Sequence, residues 1–256
     1  MHFSSYIGID YSGARAAVSR LPGLRVFKAS HYSEPARVPS PAGGNRNWTR
    51  KEIAHWCLEQ INTDDPVIIG IDHGFSFPTS YMERYRIESW DRFLDDFQEY
   101  WPTDGDEITV AFCREGNKRS GDPNDLRLTE NWTAGAKSVF RFNVQGSVAH
   151  STHAGLPWLR FIRQNANSDH RPHFWPFDGF EIPPKQSVIV EIFPSLFRKR
   201  YSKREVYTAD DHDAMCVAQW LKDMDGRGLL STYFNPPLTD EERKIARLEG
   251  WILGVY

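Results

Sequence analysis

The four-residue sequence Ile-Gly-Ile-Asp occurs twice in the chain, at residues 7–10 and 69–72. Each copy is an apolar run, typical of a strand buried on both faces, that ends in Asp10 or Asp72. Ligand sites of open α/β sheets lie beyond the carboxyl ends of the strands. Two parallel neighbouring strands are about 4.8 Å apart, so the carboxylates would repel each other unless a cation lay between them. The repeat therefore predicts a divalent metal site, the alternative being that each aspartate only caps the following turn.

A late helix supplies further acids. Thr208 begins it with a capping box, in which Asp211 is the expected partner. Asp210 and Asp213 are three residues apart, and an apolar stripe continues from them along the same face. The N-terminal end of the face that packs on the sheet therefore carries carboxylates that can reach the strand ends.

Glu191 interrupts the apolar strand predicted at residues 188–193, where an unpaired carboxylate would be costly. Its side chain either faces a polar site or forms a salt bridge with a Lys or Arg, and the sequence leaves both open. The candidate catalytic residues are Asp10, Asp72 and Asp213. The candidate metal ligands are Asp10, Asp72, Asp213, Glu191 and Asp210.

Two stretches are rich in basic side chains. One holds Arg114, Lys118, Arg119 and Arg127, which are candidates for contacting substrate phosphates, and the other holds Arg198, Lys199, Arg200, Lys203 and Arg204. Each run taken alone is also typical of a solvated surface. Ser12 and His73, which closely follow the two aspartates, are further candidates for contacting substrate.

The composition is that of a globular protein. The chain has 256 residues, of which 40% are hydrophobic, and a net charge of −3, so there is no overall basic excess of the kind that most nucleic-acid-binding proteins have. The cysteines, Cys57, Cys113 and Cys216, are odd in number and far apart, so we expect them to be reduced and buried. Without a signal-peptide-like start or an apolar stretch of membrane-span length, a cytoplasmic location and no membrane partner are expected.

The pattern of apolar residues predicts a single α/β domain over residues 1–256, with a mixed sheet flanked by helices. An elaboration after the fourth strand is expected at about residues 79–185. The predicted strands are 6–10, 16–20, 24–28, 67–72 and 188–193, with 31–47 as a loop. One helix is predicted to begin at Thr49. Four more are predicted at about residues 83–100, 156–164, 208–222 and 240–248.

The order of these features resembles the RNase H and RuvC-like superfamily. More narrowly, the chain resembles a family of predicted RNase H-like nucleases, domain of unknown function 429. The motifs that carry this resemblance are IGIDYSGA (7–14), GIDHGFSFP (70–78), GLPWL (155–159), FWPFDG (174–179), VEIFP (190–194) and EGWILGV (249–255). The chain departs from the family's more usual Ala-Pro at His73 and Gly74.

The resemblance implies a nuclease that depends on Mg²⁺ or Mn²⁺, with Asp10, Asp72 and Asp213 at the family's acidic positions and Glu191 at a further one. Nucleic acid or another phosphodiester is then the expected partner. A non-catalytic binding or scaffold domain is the second hypothesis. An actin-like ATPase-type phosphotransferase is the third, although 256 residues leave little room for its two related domains. The oligomeric state is left open.

Overall fold

Six strands form one mixed sheet in the described part of the chain, residues 3–144 and 147–256 of a computed structural model. The strands are β1 (Ser5–Asp10), β2 (Arg25–Ser30), β3 (Ser33–Arg37), β4 (Val67–Asp72), β5 (His173–Trp175) and β6 (Val188–Glu191). Their order is β3-β2-β1-β4-β6-β5. The hairpin of β2 and β3 is antiparallel to β1, whereas β1, β4, β6 and β5 run parallel. The fold is therefore α/β, as the sequence predicts.

Helices cover the sheet. They are α1 (Arg50–Ile61), α2 (Thr79–Tyr85), α3 (Trp90–Tyr100), α4 (Val110–Arg114), α5 (Leu128–Asn131), α6 (Val148–Asn165), α7 (Ala209–Gly226), α8 (Leu230–Tyr233) and α9 (Asp240–Glu249). Capping boxes begin α1 at Thr49, α7 at Thr208 and α9 at Thr239. All three cysteines are free and buried, as expected. Among the described residues, no helix combines the length and apolarity that crossing a membrane requires.

Each face of the sheet has its own apolar core, because successive side chains of a strand point to opposite faces. Ile7 and Ile9 of β1 join the core that contains α1, α3 and α6. Tyr6 joins the other core, which contains α7. By the same alternation, Asp10 projects on the α7 face. The equivalent positions of β4 follow the same rule, so Asp72 also projects on the α7 face.

The glycines of the repeated motif let α7 lie directly on the sheet. A Cβ added to Gly8 would be 2.2 Å from the carbonyl oxygen of Ala214, and one added to Gly70 would be 2.8 Å from Cγ1 of Val217. Because no side chain separates β1 and β4 from the helix, α7 packs against both strands. This contact brings the N-terminal end of α7 to the ends of the two strands.

The segment between β1 and β2 differs from the prediction. Residues 16–20 are not a strand but a turn, in which the N–H of Ser19 donates to the carbonyl oxygen of Ala16. Just before this turn, the guanidinium of Arg50 binds the carbonyl oxygens of Ser12, Ala14 and Arg15. The hairpin forms one step later, with β3 inside the segment predicted to be a loop. Hydrogen bonds from the Arg50 side chain, rather than pairing with a further strand, therefore hold the first part of the loop between β1 and β2.

The segment between β4 and β6 is also more regular than predicted. The helix predicted at about 83–100 is two helices, separated where Arg86 adopts a left-handed conformation with φ of 56°. Helix α6 begins eight residues before the predicted helical stretch and contains Pro157. The short β5 joins the sheet edge and was not predicted, since three buried residues give too short a signal.

We expect Gly8→Ala to lower the free energy of unfolding by on the order of 3 kcal/mol, because the added methyl group meets backbone atoms of α7 that cannot move aside. Urea denaturation measures the change. Gly226→Ala, at the end of α7, is the matched control, since nothing lies within 4 Å of its added Cβ. Equal stabilities of the two variants would contradict the direct contact between α7 and β1.

Candidate active site

Asp10 and Asp72 lie side by side at the carboxyl edge of the sheet. Their strands are parallel neighbours, and the register pairs Asp10 directly with Asp72. This confirms the predicted placement of the two residues. The two carboxyl groups are close enough to share a hydrogen bond, and both are half-buried at the wall of a cavity.

Helix α7 brings two more aspartates to this edge. Asp213 and Asp210 line the same cavity, and both contribute negative potential at Asp10. Asp211, as predicted, belongs to the capping box: its Oδ2 accepts hydrogen bonds from the backbone and hydroxyl of Thr208. The guanidinium of Arg37 binds the other carboxylate oxygen of Asp211. Asp211 is therefore neutralised locally and faces away from the site.

Burial and mutual repulsion raise the pKa values of Asp10 and Asp72. Burial, together with Asp213 and Glu191, raises the pKa of Asp72 to about 8. Burial raises the pKa of Asp10 well above its usual range, and the neighbouring Asp72 raises it further. Two adjacent carboxyl groups in such surroundings either share a proton or bind a cation.

The donor set fits a hard divalent cation, with two oxygen-bearing side chains already adjacent. Asp213 is the third acid within electrostatic reach, but its Oδ2 accepts a hydrogen bond from Arg198 Nη1 at 2.9 Å. In this arrangement, no group of three carboxylate, imidazole or thiol side chains from the described residues is placed to hold one ion. Asp10 and Asp72 would hold Mg²⁺ or Mn²⁺, and Asp213 could join them if Arg198 moved away.

Glu191 forms a salt bridge with an arginine, which is one of the two alternatives that the sequence left open. Strand alternation turns its side chain to the face opposite Asp72, since Glu191 pairs with Ile71 of β4. There the guanidinium of Arg127 donates two hydrogen bonds to it, of 2.5 and 2.7 Å. The backbone N–H of Phe75 donates a third, of 2.9 Å. Glu191 also lines the cavity, but Arg127 binds both of its carboxylate oxygens, so its assignment as a metal ligand is corrected to a member of a buried ion pair.

The proposed phosphate-contacting group of Arg114, Lys118, Arg119 and Arg127 does not form one surface. Arg127 lines the cavity but is 1% exposed, and Glu191 and Glu130 bind its guanidinium, so its predicted contact with substrate phosphates is corrected to a buried ion pair. Arg119 is bound by Asp96 and lies over the ring of Tyr85. Arg114 and Lys118 are exposed, and the guanidinium of Arg114 lies over the ring of Phe142.

Ser12 and His73 both line the cavity. The Oγ atom of Ser12 accepts a long hydrogen bond, of 3.4 Å, from the N–H of Ala14, so it still has capacity to bind another group. His73 is buried, and its Nδ1–H donates to the carbonyl oxygen of Gly74. Burial lowers the pKa of His73 to about 4, so the imidazole is neutral at neutral pH and is suited to packing and orientation.

The cavity has a volume of about 1150 Å³ and extends from the aspartates towards the N-terminal end of α6. Sequence analysis did not identify several of the residues in its wall, since they come from separate segments that only the folded chain brings together. These include Arg15, Lys137, Phe142, His150 and Phe193. The cavity therefore combines the four aspartates with basic and aromatic side chains.

Comparison of the chain with protein-family models, curated proteins and solved structures found no match. The resemblance of its motifs to RNase H-like proteins stays a prediction. The α/β class, the mixed sheet and the placement of the aspartates are properties of the chain itself.

We expect Asp72→Asn to stabilise the metal-free protein at high pH. The unfolded aspartate ionises near its ordinary pKa of 3.8, whereas the folded one holds its proton up to about pH 8, so the parent loses stability as the pH rises between these values. Asparagine carries no such penalty. In EDTA, the variant should match the parent near pH 4 and exceed it at pH 8 by several kcal/mol. Urea denaturation across this range measures the difference, and the exposed Asp65→Asn is the control.

Arg127→Met should destabilise the fold by about 3–5 kcal/mol, because it leaves Glu191 and Glu130 buried without their guanidinium partner. Adding Glu191→Gln should recover part of the loss. The exposed Arg114→Met is the control and should cost less than about 1 kcal/mol. Thermal and urea unfolding are the measurements. An Arg127→Met protein of parental stability would return this arginine to the list of candidate substrate contacts.

Proposed function

We propose that this protein is a divalent-metal-dependent phosphodiester hydrolase with an RNase H-like fold. The observation that carries the proposal is the in-register pairing of Asp10 and Asp72 at the carboxyl ends of two parallel strands, where they line a cavity. Carboxylate pairs of this kind bind the ions that catalyse in-line displacement at phosphorus.

The order of the elements supports the RNase H-like assignment. The Asp-ended β1 is followed by an antiparallel hairpin, by α1 and by the Asp-ended β4. The late helix α7 then places Asp213 beside them, and the direct contact of α7 with the two motif glycines explains how it does so. The sequence resemblance rests on these same features, and their spatial arrangement adds support to the proposal.

A divalent ion at the aspartates would supply Lewis acidity and an activated water for attack on the phosphodiester. Asp10 and Asp72 provide the anionic oxygens that bind and position it. Arg198 neutralises Asp213, so a bound cation and Arg198 would compete for this carboxylate. Asp210 adds negative potential at Asp10, which raises the pKa of Asp10 and would likewise attract a cation. His73, neutral and packed against Tyr11, supports the loop that follows Asp72.

A non-catalytic binding domain is the second candidate. The observation in its favour is that no three ligating side chains among residues 3–144 and 147–256 are placed to hold one ion. Such a domain would bind one cation weakly through the aspartate pair and would not turn over a substrate. The two functions differ in whether metal binding is accompanied by hydrolysis.

We expect Asp10→Asn and Asp72→Asn each to abolish hydrolysis that depends on Mn²⁺ or Mg²⁺ while leaving the protein folded. Each variant should also lose most of the rise in melting temperature that Mn²⁺ gives the parent, because that rise depends on metal affinity. The substrates are bis(p-nitrophenyl) phosphate and single-stranded and duplex oligonucleotides.

Asp65→Asn, an exposed change of equal charge, should behave as the parent does. A metal-induced shift in the parent without cleavage of any substrate would favour the binding domain. Retention of both the shift and the cleavage by Asp10→Asn would rule out the aspartate pair as the site.

A further inference from the structure

A basic segment begins beside the acidic site, and apart from Arg198 it has no role in the function described so far. Residues 198–204, here called the basic run, have the sequence RKRYSKR, so five of the seven side chains are basic. All five are exposed. The chain as a whole has a net charge of −3, so this concentration of positive charge is local.

Four of the five charges lack an acidic partner. Among the described residues, no carboxylate lies within 4 Å of the cationic nitrogens of Lys199, Arg200, Lys203 or Arg204, although the guanidinium of Arg204 lies over the ring of Tyr207. The first basic stretch is different, because Arg119 and Arg127 are bound by acids. Unpaired, clustered positive charge attracts polyanions and binds them with strong salt dependence.

The basic run is held against the helix that carries the site's acids. At its N-terminal end, the ring of Phe197 stacks on Trp220 of α7 with the ring centroids 4.8 Å apart. In its middle, the hydroxyl of Tyr201 donates a 2.8 Å hydrogen bond to Asp223 of the same helix. These two contacts fix where the basic side chains emerge relative to α7.

Arg198 connects the basic run with the site itself. Its Nη1 atom donates a 2.9 Å hydrogen bond to Asp213, which lines the cavity together with Asp10 and Asp72. A polyanion is repelled by a site made of aspartates, so its binding needs compensating positive charge close by. The basic run begins next to Asp213 and continues along α7 to Asp223, so it supplies positive charge beside the cavity without forming part of its wall.

We propose that the basic run binds the phosphate backbone of a single-stranded nucleic acid whose cleaved phosphodiester lies at Asp10 and Asp72. The inference rests on the proposed function and names the substrate class of that same site. The position of the run beside a candidate phosphodiester-cleaving site favours nucleic acid over an anionic membrane surface. A single strand fits better than a duplex, because the aspartates line a cavity whose wall also offers Phe142 and Phe193 to unpaired bases.

The first experiment measures binding without turnover. The variant combines Lys199→Ala, Arg200→Ala, Lys203→Ala and Arg204→Ala and keeps Arg198. Fluorescence anisotropy in EDTA follows binding of a labelled single-stranded oligonucleotide of about 20 nucleotides, as DNA and as RNA, and of the matching duplex. We expect at least a tenfold loss of affinity at low salt. The slope of log affinity against log salt should become less steep by about 3 for the single strand, since about 0.7 counterions are released per phosphate contact.

The control variant removes the same number of positive charges elsewhere. It combines Arg92→Ala, Arg171→Ala, Lys185→Ala and Arg247→Ala, all at exposed residues that have no carboxylate within 4 Å in the described structure. Arg171 and Lys185 precede β5 and β6, so they lie at the opposite edge of the sheet. The control should bind within about threefold of the parent, because only non-local charge is lost. Equal losses in the two variants would overturn the proposal.

The second experiment separates failure of this inference from failure of the proposed function. Metal-dependent hydrolysis of bis(p-nitrophenyl) phosphate is compared with cleavage of the single-stranded oligonucleotide, because the small substrate is too short to span the basic run. The run variant should lose at least fivefold more activity on the oligonucleotide than on the small substrate. Equal losses on the two would overturn the inference and leave the hydrolase intact.

Binding through the run without hydrolysis of either substrate would instead overturn the proposed function, while the nucleic-acid surface would stand. Vesicles that contain phosphatidylserine provide the remaining comparison. Binding of the parent to vesicles but not to any oligonucleotide, lost in the run variant, would replace nucleic acid by a membrane surface and so refute the proposal.

Discussion

The arrangement of this molecule around its site depends on one electrostatic constraint, which is that two carboxyl groups are held side by side where they are poorly solvated. The pairing of β1 with β4 leaves Asp10 and Asp72 no means of moving apart. Helix α7 lies on the same face and adds Asp213, which increases the repulsion. A fold can keep such an arrangement when a cation or a shared proton offsets its cost, and here the two carboxyl groups share a hydrogen bond.

Strand alternation divides the acids of this region into two sets with different roles. On the α7 face, the aspartates line the cavity, with Arg198 as the counter-ion of Asp213. On the opposite face, Glu191 is bound by Arg127, which also contacts Glu130 and the backbone of Glu249. This second set ties α5 and the end of α9 to β6. Glu130 and Glu191 also line the cavity, but Arg127 neutralises them, whereas Asp10 and Asp72 have no basic nitrogen within 4 Å among the described residues.

Local sequence signals predicted much of the fold correctly. The apolar runs that end in Asp10 and Asp72 identified β1 and β4, and the capping boxes at Thr49 and Thr208 located α1 and α7, because these features involve residues close together in the chain. The failures lie where distant groups satisfy the backbone. Arg50 holds the backbone just before the segment predicted to be a strand, and β5 pairs only with β6 among the described strands.

The sequence by itself determined the pair of aspartates, the strands that end in them and the acidic face of α7. These features follow from periodicity and capping, which depend only on residues close together in the chain. Only the tertiary structure decided which charged groups are available. Arg127 and Glu191 are 64 residues apart in the chain, and neither pattern nor spacing predicts that they neutralise each other. Whether a charge is free or paired depends on the contacts made by the folded chain, and so does the enclosure of the aspartates in a cavity.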